Sequence, residues 1–233
     1  MHFRFRSLVL CTGVMALLFA AGCGGSGEEP ASPPASPASI GGPENGKTPP
    51  QADAGPTALE FPIPEPSWPS VMIETSLGNI TVQLDDEKAP QTVDNFLAYV
   101  ESQGYDQTIF HQVFKDQGIV GGAFSPDLVE KESFAPIYCE ADNGLKNLSG
   151  TIAMARQPDL KRSATRHFFI NVTDNPELDH RGQTAQEFGY CVFGKVTQGM
   201  EVVAKIAAGD VHDTEQFDRI PVATVLIKTI RRL

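Results

Sequence analysis

The chain reads as a mainly β domain with two helices, arranged as a barrel or sandwich behind a long N-terminal segment that cannot fold. Three observations predict this. Short runs of β-branched and aromatic residues at Ile109–Phe114, Thr151–Met154, Phe168–Val172, Tyr190–Phe193 and Val225–Ile230 are separated by Gly, Asn, Asp and Pro, and such runs between turn formers read as strands. Only two stretches carry helical periodicity, and many strands with two isolated helices favour a barrel or sandwich over a βαβ sheet. Setting the N-terminal part aside leaves about 160 residues, ample for one core.

In chain order, residues 1–22 are an export leader. Arg4 and Arg6 make a basic start, Leu8 to Ala21 is apolar, and the stretch is too short and too early for a membrane span. It ends Phe19-Ala20-Ala21-Gly22 before Cys23, which resembles a bacterial lipobox, although leucine is more typical than Ala20 three residues before the cysteine. On this reading Cys23 becomes a lipidated N-terminus carrying palmitate or similar chains, and several chains hold a protein on a membrane far more firmly than one. The alternative is an ordinary cleaved leader with a coincidental cysteine. Residues 23–69 are rich in Pro, Ser, Ala and Gly without apolar periodicity, so they form a disordered tether. The expected location is the bacterial cell envelope, with the domain of residues 70–233 on the exported side.

Within the domain, Val71 to Leu84 reads as two strands around a Gly78-Asn79 turn. Ala89 to Val100 is helical: Pro90 suits the first turn, Val93, Phe96, Leu97 and Val100 share one face, and Gly104 follows the end. Met200, Val203 and Ala207 mark a second amphipathic helix. Cys139 and Cys191 sit in apolar runs. Export permits a disulfide, and a pair of buried thiols is equally ordinary.

The segment TIFHQVFKDQGIVGGAF, Thr108 to Phe124, resembles the signature of cyclophilin-type peptidyl-prolyl isomerases, with Phe110, His111, Val113, Gly121, Gly122 and Phe124 in register. Further stretches, among them LGNITVQL from Leu77, SATRHFFINV from Ser163 and GYCVFGKVTQGMEVV from Gly189, are similar to small bacterial cyclophilins in order and spacing. The resemblance covers Val71 to Leu233. It implies an eight-stranded closed antiparallel β-barrel with a helix over each end, and prolyl isomerase activity on proline-containing polypeptides. It also implies a site. Gln112 stands at the family's catalytic arginine, and Gln117, Gly118 and Val120 replace its phenylalanine, methionine and glutamine. Phe169 matches the aromatic floor under the proline ring, Leu178 an apolar wall, and Tyr190 a position that is histidine or tyrosine. Ala155 matches the backbone position whose neighbours hydrogen-bond the peptide main chain, while Arg156, Gln157 and His167 replace the family's usual asparagine, alanine or other small residue, and glutamine respectively. Phe169 and Leu178 would be core residues in any such barrel, and Tyr190 suits core or pocket equally.

The chemistry sets the demand. Rotating an X-Pro bond crosses a barrier near 20 kcal/mol set by amide resonance, and no covalent bond is exchanged. An apolar pocket grips the ring; a cationic donor at the prolyl nitrogen weakens resonance. Gln112 is a neutral donor, and charged donors make hydrogen bonds roughly twice as strong. Reduced turnover is therefore expected, of the order of a hundredfold, as for loss of one transition-state donor. Arg156 and Arg166 border the cleft in the resemblance and are candidates to replace the lost cation. The alternative function is a cyclophilin-fold module that binds a peptide or protein without catalysis.

Other chemistry finds no footing. His111, His167, His180 and His212 lack metal-ligand spacing, there is no Cys-x-x-Cys, and the acidic run near Asp174–Asp179 lacks a calcium-loop pattern. No cofactor or metal is expected. Removing the leader with Arg4 and Arg6 takes the net charge from −11 to −13, which argues against nucleic acid as a partner. A monomer is expected. The sequons at Asn79, Asn147 and Asn171 carry little weight for a bacterial lipoprotein.

Overall fold

The computed structural model describes residues 68–233. The leader, Cys23 and nearly all of the tether lie outside the described residues. Pro69, assigned from sequence to the tether, already accepts a hydrogen bond from the Leu84 N–H at 2.8 Å, so contacts with the domain begin ahead of the first strand.

Ten strands and two helices follow: β1 Ser70–Thr75, β2 Asn79–Leu84, α1 Pro90–Glu101, β3 Thr108–Phe114, β4 Gly118–Gly121, β5 Thr151–Met154, β6 Phe168–Asn171, β7 Cys191–Gln198, α2 Met200–Ala207, β8 Val211–His212, β9 Ile220–Pro221 and β10 Val225–Arg232. Eight of them close an antiparallel barrel in the order β1-β10-β3-β4-β6-β5-β7-β2, while β8 and β9 pair separately. Closure removes every free sheet edge from the barrel.

Alternation along each strand fills the interior. Val71, Ile73, Ile80, Val82, Leu84 and Ile227 are all fully buried, as a period of two requires when one face meets the core. Phe96 of α1 plugs into this interior against Tyr105 at 5.1 Å and Phe193 at 5.2 Å, and Tyr105 meets Phe168 edge-on at 5.5 Å. Helix α1 packs on β7 and β10, with Pro90 in its first turn as expected. Helix α2 packs on β2, β3 and β4 and buries Val202, Val203, Ile206 and Ala207.

Two details differ from the sequence expectation, and a third decides between alternatives it left open. The β1–β2 turn is centred on Ser76 and Leu77, and Asn79 already belongs to β2. Thr75 closes the turn, its N–H donating to the Gly78 carbonyl at 3.0 Å and its hydroxyl to the same oxygen at 2.6 Å. Gly78 is required beside it: φ is +141°, and a Cβ would meet Val202 at 2.7 Å. Second, Gly118 to Gly121 is a barrel strand, a run too rich in glycine to announce itself by strand propensity. Third, Cys139 and Cys191 are both free and buried. Burial pushes both thiols up, and the Cys191 sulfur lies 3.3 Å from the Thr92 hydroxyl. Asn147 and Asn171 are also buried in side-chain hydrogen bonds, so those sequons cannot accept a glycan in the folded chain.

Candidate functional site

The site forms on the outside of the barrel. Residues pointing away from the core on five adjacent strands line up by register: Gln112 on β3 opposes Val120 on β4, Val120 opposes Phe169 on β6, Phe169 opposes Ala153 on β5, and Ala153 opposes Val192 on β7. Their neighbours Val113, Ile119, Phe168, Ile170, Ile152 and Phe193 point into the main core. Val120, Ala153, Ala155, Phe169, Leu178 and Val192 make a second apolar cluster, joined by the partly exposed Phe114, Leu145 and Tyr190. Phe169 and Tyr190 meet edge to face at 5.7 Å. Phe169 is only 3 % exposed.

Leu178 reaches this cluster from a 3-10 turn, Pro176–Leu178. Asn147 holds that turn from both sides: its carbonyl accepts the Asn175 N–H at 2.8 Å, and its own N–H donates to Asp179 Oδ1 at 2.8 Å. Burial raises the Tyr190 hydroxyl, partly offset by the Arg156 charge, so it stays a protonated donor at neutral pH.

The remaining sequence candidates separate into distinct roles. Gln112 is half-buried, and its Nε2 donates to the Asp218 carbonyl at 3.3 Å. Gln117 sits in the β3–β4 turn, where its carbonyl accepts from the Val172 N–H at 2.8 Å and from Asn175 Nδ2 at 2.9 Å. Gly118 is more than a lost wall: a Cβ there would stand 2.8 Å from the Ile170 carbonyl, so glycine lets β4 and β6 approach. Gln157 is exposed, with its N–H on Ser163 Oγ at 2.9 Å. The Ala155 N–H is taken by the His167 carbonyl at 2.9 Å.

His111 and His167 form an aromatic group with Phe124 and Phe217. His111 is 2 % exposed, packs on Phe124 at 4.8 Å and meets His167 at 5.5 Å. Burial, reinforced by the His167 charge, holds its ionisation well below the usual imidazole range. His167 Nε2 lies 3.5 Å from Glu130, whose carboxyl is drawn down mainly by that hydrogen bond.

The two arginines nominated to replace the lost cation are committed elsewhere. Arg156 is buried; its Nε donates to the Gly189 carbonyl at 2.6 Å, Nη1 to Gln157 and Pro158, and Nη2 to Ala185 at 2.6 Å. Arg166 is buried under Tyr99 and Tyr105, donating to the carbonyls of Gly122, Glu132 and Gly104. Each ties loops to the barrel, and freeing either would strand buried carbonyls. Neither swings to Gln112, and neither is a solvated surface arginine.

Sequence reasoning missed Phe114, Ala153 and Val192, whose outward placement follows only from register, and Leu145, which reaches the cluster from the loop before β5. It also missed Arg219. The segment before β9 runs beside β3, with the Val113 N–H donating to the Arg219 carbonyl at 3.0 Å, and the Arg219 guanidinium carbon lies 5.5 Å from the centre of the Phe114 ring.

Comparison with known proteins identifies the domain. The family model described as cyclophilin type peptidyl-prolyl cis-trans isomerase/CLD matches residues 70–232. The chain is 48% identical over 164 residues to peptidyl-prolyl cis-trans isomerase cyp18 of Streptomyces antibioticus, covering 70% of this chain and 98% of that protein. It is 43% identical over 160 residues to peptidyl-prolyl cis-trans isomerase B of Escherichia coli K12, covering 69% and 97% respectively. A crystal structure of a Cryptosporidium parvum cyclophilin type isomerase superposes with a TM-score of 0.55 at 25% identity, covering 71% of this chain and 98% of that one. With the closed eight-stranded barrel and the Phe169 face on its outer surface, these likenesses establish that the chain belongs to the cyclophilin-type peptidyl-prolyl cis-trans isomerase family.

Proposed function

We propose that this isomerase acts on proline-containing segments of exported polypeptides while held in the cell envelope by lipid on Cys23, as a monomer, with turnover below that of arginine-bearing relatives. The observation that carries the reading of the site is the outward row from Gln112 to Val192, with Phe169 at its centre. An aromatic face flanked by Tyr190 and Leu178 suits a proline ring, and a second C. parvum cyclophilin structure, obtained in the presence of the dipeptide Ala-Pro, supports such a ligand. Reduced turnover rests on Gln112, a neutral donor already engaged with Asp218. The anchor rests on the Phe-Ala-Ala-Gly-Cys sequence and the Pro-rich segment after it; among the described residues no helix is long and apolar enough to cross a membrane.

The engagement of Gln112 and of both buried arginines favours one second reading, a module that binds peptides without turning them over. The cis-to-trans rate of a proline tetrapeptide, measured with wild type and Gln112→Arg, separates the two. A measurable wild-type rate that rises on the order of tenfold or more in the variant supports the reduced isomerase. Silence in both, with peptide still bound, supports the module. Membrane fractionation and labelled palmitate incorporation, compared between wild type and Cys23→Ala, test the anchor; a wild type without lipid rules it out.

A further inference from the structure

We propose that the guanidinium of Arg219 is the cation of the peptide site, donating a hydrogen bond to the prolyl amide as it twists. This rests on the isomerase reading above. As the amide leaves planarity its nitrogen loses resonance and regains a lone pair, and a charged N–H donor placed there is the strongest help a side chain can offer.

Arg219 is the arginine positioned for it. Its Cζ lies 5.5 Å from the Phe114 ring centre, and Phe114 packs against the cluster containing Phe169. On β3, Phe114 lies two residues from Gln112 on the same outward face. Among the described residues the Arg219 side chain forms no hydrogen bond or ion pair within the protein, whereas Arg156 and Arg166 each direct their donors to backbone carbonyls. A guanidinium resting on an aromatic face keeps its in-plane N–H groups available to an acceptor.

The backbone beneath it is held firmly. Arg219 has a φ of +57°, uncommon for a non-glycine residue, and persists there because its N–H donates to Asp213 Oδ1 at 2.8 Å while its carbonyl accepts from Val113. Backbone held in a sparsely populated conformation recurs at functional sites. The base of the side chain is thus fixed to the strand that carries Gln112, and its charged tip remains uncommitted.

The test compares full-length wild type with Arg219→Ala, Arg219→Lys, the double variant Gln112→Arg/Arg219→Ala, and Arg231→Ala as a charge-matched control pairing with Glu74 away from the site. Isomerisation of a proline tetrapeptide is followed by NMR exchange, peptide affinity by chemical-shift titration, and folding by thermal melting. Arg219→Ala is expected to lower kcat by roughly tenfold or more with Kd within about threefold. Arg219→Lys, which keeps the charge without the planar fork, should fall between, and the double variant should recover the rate. Arg231→Ala should match wild type. An Arg219→Ala rate within about twofold of wild type overturns the proposal alone. So does a loss seen only in Kd, or one that tracks a lower melting temperature and is not rescued by arginine at position 112. A wild type with no isomerisation overturns the isomerase reading and this proposal together.

Discussion

Phe168 and Phe169 are neighbours on β6 and serve opposite sides of the barrel wall. Phe168 points inward, where Phe96, Tyr105 and Phe110 meet it edge-on at 5.8, 5.5 and 6.1 Å. Phe169 points outward to a smaller cluster bounded by Tyr190 and Leu178. Both are nearly fully buried, so burial alone does not tell them apart. What differs is the surroundings: the inner ring is enclosed by aromatic side chains from helix and strands, the outer one by a thin layer with partly exposed rims. One side of the wall is committed to the fold and the other is the face proposed to receive a peptide.

The largest test of this contrast is Phe168→Ala, expected to cost about 4 kcal/mol because the packed interior cannot collapse around the cavity. Urea unfolding measures it, and a loss below about 1 kcal/mol would break the picture of a rigid interior. Next is Arg166→Met, which leaves the carbonyls of Gly104, Gly122 and Glu132 without their donor and should cost about 3 kcal/mol. Phe169→Ala should cost less stability, about 2 kcal/mol, since the outer layer can relax, yet lower peptide affinity and isomerisation by tenfold or more. Equal stability losses at Phe168 and Phe169, with peptide binding intact, would erase the distinction between inner and outer faces.

The smallest effect concerns pH. His111 is kept neutral in the fold by burial, while the unfolded chain binds a proton near the ordinary histidine value of 6.5. Its contribution is therefore intact above pH 6.5 and declines as pH falls below it, by about 1 kcal/mol at pH 5.5. Thermal melting from pH 7.5 to 5.5 should show this decline in wild type and a flatter profile in His111→Phe.

Much of the fold was legible in the residues. Pro90 and the Val93, Phe96, Leu97 and Val100 stripe marked α1, and the β-branched runs marked β3, β5, β6, β7 and β10, because periodicity and turn chemistry are local properties. Strand β4 was not legible as a strand, since Gly118 and Gly121 gain their place through close contact with Ile170 and Phe110 rather than through propensity. The family likeness singled out Phe169, Leu178, Tyr190 and Gln112, but it could not say which arginines were available.

The sequence by itself determined a mainly β domain of barrel or sandwich type, the two helices, the neutral residue at position 112 and the composition of the N-terminal segment, all of which follow from the order and chemistry of neighbouring residues, while the closed barrel came from the family likeness. Only the tertiary structure decided that Cys139 and Cys191 are free, buried thiols and that Arg156 and Arg166 are bound to carbonyls. It alone brought Arg219, 107 residues beyond Gln112 in the chain, to the same face. The reason is physical: a hydrogen bond or ring contact between distant segments depends on strand register and barrel closure, and neither is written in any local pattern of residues.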